Sequence, residues 1–160
     1  MAPVKERDAR LMRMALMLAE DAAGLGESPV AALVVAADGA IISRATNRME
    51  TDRDPTAHAE MLALRAAGRR AGDWRLREAT VYVTLEPCIM CAGALLHARV
   101  KRVVYAARDE RWGAFGSLLD LAHDPRINHE IEVVRGILEE ESAELLRRFF
   151  RGVRTRLKKK

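Results

Sequence analysis

The sequence predicts an α/β fold of three layers, α/β/α, built on a central five-stranded mixed sheet. Three observations carry that prediction. Apolar residues recur with helical spacing in several places, five short β-rich runs lie among them, and helices alternate with strands along most of the chain. Taking the elements in order, Leu11, Ala15, Leu18, Ala19 and Ala22 share one face of a first helix over residues 11–23, which Gly24 and Gly26 stop. Residues 30–35 and 41–45 read as two strands joined through Asp38-Gly39, a favoured hairpin turn. Pro55-Thr56 opens a second helix over about residues 57–71, with Thr56 as its N-cap. The run from Thr80 to Thr84 is β-rich and gives the third strand. Pro87 starts a third helix through about His97, in which Ile89, Met90, Ala92, Ala94, Leu95 and Leu96 leave no polar face; such a helix is buried in the core or in a subunit interface. Residues 102–106 and 130–134 give strands four and five, and a long basic C-terminal helix and tail begin near residue 138.

A chain of 160 residues fits one domain, 1–160, and is long enough to bury a core. Hydrophobic residues at 49% and charged residues at 31% are ordinary for a globular protein. No stretch approaches the roughly 18 apolar residues of a membrane span, so no membrane partner is expected. The N-terminal residues 1–8 carry mixed charge and no apolar centre, unlike a secretory signal, and a cytoplasmic location follows as the expectation. The net charge of +4 conceals an asymmetry. From Arg147 to Lys160 there are eight basic residues and no acidic one, so the chain before them is net acidic. A basic end on an acidic body suits a polyanionic partner such as nucleic acid, and equally a solvated tail that keeps the protein soluble.

The two cysteines, Cys88 and Cys91, form a Cys-x-x-Cys. A secreted disulfide scaffold would carry more cysteines in a smaller chain, which leaves metal binding or redox chemistry. Residues 57–60, Ala-His-Ala-Glu, open the second helix and residues 86–91, Glu-Pro-Cys-Ile-Met-Cys, open the third. Three residues apart on a helix, Cys88 and Cys91 share a face, and parallel packing of the two helices under adjacent strands brings His58 to the same point. Imidazole with two thiolates suits Zn²⁺, and helix N-termini favour the thiolates. Three protein ligands leave the fourth tetrahedral position to water, the arrangement of catalytic rather than structural zinc. Two thiolates cancel the ion's charge, so the water needs a base beside it, and Glu60 is that base. A structural zinc clip with a fourth ligand elsewhere would leave Glu60 unexplained, an unpaired carboxylate that is costly beside a metal. A redox pair would leave the His-x-Glu unexplained.

His-x-Glu followed by Pro-Cys-x-x-Cys resembles the signature of the zinc nucleoside and nucleobase deaminases. The resemblance extends beyond it. Residues 54–60, 83–88, 91–94, Ala107-Arg108-Asp109 with Gly113 and Gly116-Ser117, and the stretch from Gly136 to Phe149-Phe150-Arg151 are similar to bacterial tRNA-specific adenosine deaminases, which covers nearly the whole chain. The Ala-Arg-Asp loop and the Phe-Phe-Arg end are the parts that point to tRNA. The resemblance implies a cytidine deaminase-like fold, a homodimer with one Zn²⁺ per subunit, and conversion of adenosine to inosine at the wobble position of a tRNA anticodon stem-loop. It casts Glu60 as the residue that takes a proton from the water and delivers protons to the ring nitrogen and the departing ammonia. It places Asn47, Pro29, Val30, Leu85, Glu86, Asp109, Phe149, Phe150 and Arg151 at the substrate. For several of these a plainer role competes: Asn47 as a turn former, Pro29 and Val30 as strand entry, the two phenylalanines as anchors of the last helix, and Asp109 as a partner of Arg108 or Arg111. The chain departs from the family pattern at Ala31, Thr46, Trp112 and Gly152-Val153. A free-base deaminase acting on guanine or cytosine is the rival enzyme, and an RNA-binding module with structural zinc is the rival of another class.

Overall fold

Along the first strand, Ala31, Leu33 and Val35 pack to one side and Ala32 and Val34 to the other, all buried. A strand covered on both faces needs apolar residues at every position, and this one supplies them. The structure, a computed structural model, describes residues 4–160; residues 1–3, which open the stretch taken above as non-secretory, lie outside it. The elements are α1 (Val4–Gly24), β1 (Ala31–Val35), β2 (Ile41–Thr46), α2 (Met49–Asp52), α3 (Ala59–Ala71), β3 (Thr80–Leu85), α4 (Ile89–His97), β4 (Arg102–Ala107), a 3₁₀ turn (Leu121–His123), β5 (Glu132–Arg135) and α5 (Glu139–Lys158).

The sheet is mixed, in the order β2-β1-β3-β4-β5. β1 pairs antiparallel with both β2 and β3, whereas β3–β4 and β4–β5 are parallel. The β1–β2 hairpin turns at Gly39, whose φ of 88° only glycine adopts freely. On one face α3 and α4 cover Ala32, Val34, Val81, Val83, Val103 and Tyr105; on the other, α1 and Leu145 of α5 cover Ala31, Leu33, Tyr82, Val104 and Ala106. The three layers are those expected, and no described helix is long and apolar enough to cross a membrane.

Several boundaries moved, each for a physical reason. The second helix begins at Ala59, not near 57, and Thr56 is not its N-cap: the Thr56 backbone N–H and hydroxyl both donate to Asp54 Oδ1, at 2.8 and 2.7 Å, closing a separate turn. The third helix begins at Ile89 with Cys88 in the capping position, two residues after Pro87. The fifth strand is shifted to Glu132–Arg135. The short helix α2 was not foreseen; buried Glu27 holds it by accepting from the backbone and hydroxyl of Thr51. The basic end is no loose tail but the second half of α5, with Arg147 and Arg151 paired to Glu144 and Arg148 to Glu20 of α1.

The first helix runs two turns further toward the N-terminus than its apolar stripe because of a buried ion pair. Asp8, 1% exposed, accepts two bonds from the Arg102 guanidinium, at 3.0 and 2.8 Å, and one from the Tyr82 hydroxyl at 2.7 Å. Burial pushes the Asp8 carboxyl up, but these donors more than offset it and hold the group below its usual value. A folded-state value below the unfolded one contributes stability that is complete above the usual carboxylate range and lost as pH falls through it. Asp8→Asn is therefore expected to lower the unfolding free energy in urea at pH 7 by about 3–5 kcal/mol, the effect of stranding a buried guanidinium. The gap between variant and parent should narrow as pH drops below 4; a constant gap would contradict the ionic origin of the effect.

Candidate metal and catalytic site

Two helix N-termini converge beside β1 and β3, and the residue in the capping position of each is a candidate ligand. His58 precedes α3 and Cys88 precedes α4, both in extended conformation and neither using its side chain as a cap. Cys91, three residues on, faces the same point from the first turn of α4. His58 Nδ1 lies 3.6 Å from Cys88 Sγ and 3.5 Å from Cys91 Sγ, and the three ligand atoms all fall within 4.8 Å of one another. A tetrahedral ion with ordinary Zn–N and Zn–S bonds would separate nitrogen from sulfur by about 3.5 Å. The donor set and its spacing fit Zn²⁺ without rearrangement.

The electrostatics favour one thiolate of the pair. Cys88 is pulled down to about 4, first by the Cys91 thiol donating to it and then by His58 alongside; Cys91, which keeps the shared proton, is pushed up. Hydrogen bonding to Cys88 holds His58 above its ordinary value despite burial. Glu60, in the first turn of α3 and 3% exposed, is pushed up to about 7 chiefly by burial.

A cavity of about 630 Å³ opens onto this cluster, its lining including Val30, Asn47, Leu85, Glu86, Asp109 and Trp112 besides His58, Glu60 and Cys88. Asn47 is partly committed: its Oδ1 accepts from the Ala59 backbone N–H at 2.8 Å, giving α3 the cap that His58 does not provide. What Asn47 offers to the cavity is its amide NH₂. Pro29 is buried behind the lining, and Ser28 reaches the cavity in its place. Phe149, Phe150 and Arg151 do not line it: the two rings pack edge to face, centroids 5.3 Å apart, on a helix whose buried Ser142 and Leu145 face the α1 side of the sheet, and Arg151 pairs with Glu144.

Glu86 holds a position that its place in the motif does not reveal. Its Oε1 accepts from the backbone N–H groups of Phe115 and Ser117, at 3.1 and 3.0 Å, and its Oε2 from the Asp109 backbone at 3.1 Å and from the Ser117 hydroxyl. This buried carboxylate thus gathers the whole loop after β4. Gly113 pairs with Cys88 in an isolated bridge and passes so close that a Cβ there would lie 2.4 Å from the Asp109 carbonyl and from Glu86 Cδ. Asp109 Oδ1 accepts from the backbone of Arg111 and Trp112, not from an arginine side chain. Ser28, Met49, Pro55, Ile89 and Met90 complete the wall, and nothing in their sequence setting distinguishes them from core residues.

Residues 5–107 match the cytidine and deoxycytidylate deaminase zinc-binding region, about two thirds of the chain and all of the site's ligands. The chain belongs to that zinc-dependent deaminase family. A tRNA-specific adenosine deaminase of Haemophilus influenzae is 47% identical over 145 residues, 91% of this chain and 84% of its own. A solved structure from a study of A-to-I editing by tRNA:A34 deaminases superposes with a TM-score of 0.81 at 42% identity, over 84% of this chain and 97% of the other. The guanine deaminase of Nitrosomonas europaea superposes with a TM-score of 0.75 at 27% identity, over 93% of this chain and 85% of its own. Zinc, when bound to His58, Cys88 and Cys91, would supply this deaminase with an activated water, with buried Glu60 two residues from His58 and the cavity opening onto the cluster.

The purified deaminase is expected to carry about one zinc per chain. Cys88→Ser and Cys91→Ser should lose most of it, whereas Glu60→Ala should retain the metal and lose deamination by roughly 10²–10⁴-fold. Metal analysis alongside ammonia release checks both, and metal loss in the Glu60 variant would overturn its assignment as the proton carrier.

Proposed function

We propose that this chain acts as a single cytoplasmic domain, in a homodimer, converting adenosine to inosine at the wobble position of a tRNA anticodon stem-loop. The observation that carries the reading is the site itself: a zinc-fitting triad with Glu60 buried beside it, set in a cavity that the C-terminal helix leaves uncovered. An enzyme for free bases gains by closing over a small substrate, and a C-terminus folded across the cavity would serve that. Here α5 packs elsewhere, and the identity to tRNA deaminases exceeds that to the Nitrosomonas guanine deaminase.

Arg154, Arg156 and Lys158 to Lys160 extend the basic end of α5, suited to phosphates beyond the reacting nucleotide. The dimer reading rests on α4, where Ile89 is 38% exposed and Met90 and Ala94 half-buried, next to Met61 and a hollow of about 780 Å³ between α3 and α4 that holds none of the candidate metal ligands. Sedimentation at the mass of one chain would remove the dimer from this proposal.

Incubation with total tRNA followed by nucleoside analysis is expected to yield inosine, with free guanine and cytosine left unchanged in parallel. Deamination of the free bases alone would favour the rival enzyme, and full function of a zinc-loaded Glu60→Ala protein would favour an RNA-binding module.

Asp109 offers a second test. A carboxylate facing a phosphate backbone repels it unless it has a specific partner, and a neighbouring 2′-hydroxyl is such a donor, absent from DNA. Since Oδ1 is occupied by the loop backbone, Oδ2 is the acceptor this reading uses. Asp109→Asn should lower activity on an RNA loop modestly and raise it on a DNA loop of the same sequence. An unchanged RNA preference would leave only the loop-shaping role.

A further inference from the structure

Trp112 stands on the rim of the catalytic cavity with 61% of its surface exposed. An indole is mostly apolar, and one left this open at the mouth of a site is surface set aside for a partner. Its mount is rigid. The Trp112 backbone N–H donates to Asp109 Oδ1 at 3.2 Å, the Asp109 N–H donates to buried Glu86, and the next residue, Gly113, bridges to Cys88 and donates to the Asp109 carbonyl at 2.9 Å. The ring therefore hangs one residue from a bridge to a metal ligand. The other tryptophan, Trp74, is equally exposed but far from the metal cluster, with the Arg75 guanidinium over its face at 5.0 Å. Among the described residues no cation or aromatic ring covers Trp112. Ile89 and Met90 line the cavity with it, and the exposed cation Arg111 immediately precedes it in sequence.

Resting on the proposed RNA substrate, we infer that Trp112 is a stacking platform for the base of a nucleotide flanking the target adenosine. A nucleotide delivered into a cavity leaves its stack, and its neighbours each lose a π-partner. An aromatic face at the rim restores that contact for one neighbour, whatever its identity, because every base has a π-face. Trp112 is thus a residue of substrate binding and register, and takes no part in the chemistry.

The experiment uses zinc-loaded Glu60→Ala protein and anticodon stem-loops carrying 2-aminopurine at one or the other flanking position. Binding should quench 2-aminopurine emission at one of the two positions. Trp112→Ala in the same background should abolish the quench and raise Kd roughly five- to a hundredfold, whereas Trp112→Phe should keep most of both. In the active enzyme the loss in kcat/KM should follow KM, with zinc content and melting temperature those of the parent. Unaltered quench and affinity in Trp112→Ala overturn the inference while an inosine-forming parent leaves the proposed function standing. A change in sedimentation of Trp112→Ala would make the indole a contact between copies, and likewise overturns it. A parent that forms no inosine on tRNA strikes the proposed function, and this inference with it.

Discussion

The site depends on two helices starting at the same place. A helix N-terminus has backbone N–H groups without internal partners and a positive end to its dipole, so it draws oxygen acceptors or anions. In α3 and α4 the capping position is given to His58 and Cys88, which turn their side chains to each other and leave the helix ends to be satisfied otherwise. For α3 the substitute is Asn47, reaching from the residue after β2 to the Ala59 N–H. That bond ties the position of His58 to the edge of the sheet. For α4 the loop after β4 comes alongside: Gly113 bridges Cys88, and the Ala114 N–H donates to the Pro87 carbonyl at 2.9 Å. The metal ligands are thus held by groups that sequence distance separates and the sheet brings together.

Two buried glutamates, 26 positions apart in the chain, show how environment divides labour between identical side chains. Glu86 accepts four hydrogen bonds from one loop, so its charge is spread over donors that never leave, and it fixes geometry. Glu60 is buried nearly as deeply but lies beside thiols, and burial raises its affinity for a proton to where gain and loss are both easy at neutral pH.

What could be read from the residues alone was whatever repeats or clusters locally. The apolar run of β1, the stripe of α1 and the His-x-Glu and Pro-Cys-x-x-Cys spacings are each local, and they led to the layers and to the candidate metal ligands. What could not be read lies between residues far apart. The Asp8–Arg102 pair spans 94 positions and the Glu86 contacts 23 to 31, and no periodicity announces either. Thr56 looked like a cap because it precedes apolar residues; that Asp54 would claim it first is a competition between two acceptable local structures. The basic end was legible as charge but not as direction: buried Leu145 and the Arg148–Glu20 pair set α5 on the α1 side, away from the cavity.

The loop from Asp109 to Ser117 shows how such a site can change partners without losing its chemistry. Its inward path is fixed twice over, by the donors that Glu86 collects and by Gly113, where any side chain would collide with backbone and with that same carboxylate. Neither constraint acts on the residues pointing out. Arg111 and Trp112 are exposed, and their replacement leaves the loop's bonds to Asp109 in place, since both contribute only backbone N–H groups to it. A large indole can therefore stand on the rim while Glu86 and Gly113 hold the loop's inner face against the ligand cluster. Separating a held inner face from an open outer one divides the loop's work, because substitutions on the rim change the surface offered to a partner while the candidate ligands stay where the helices put them.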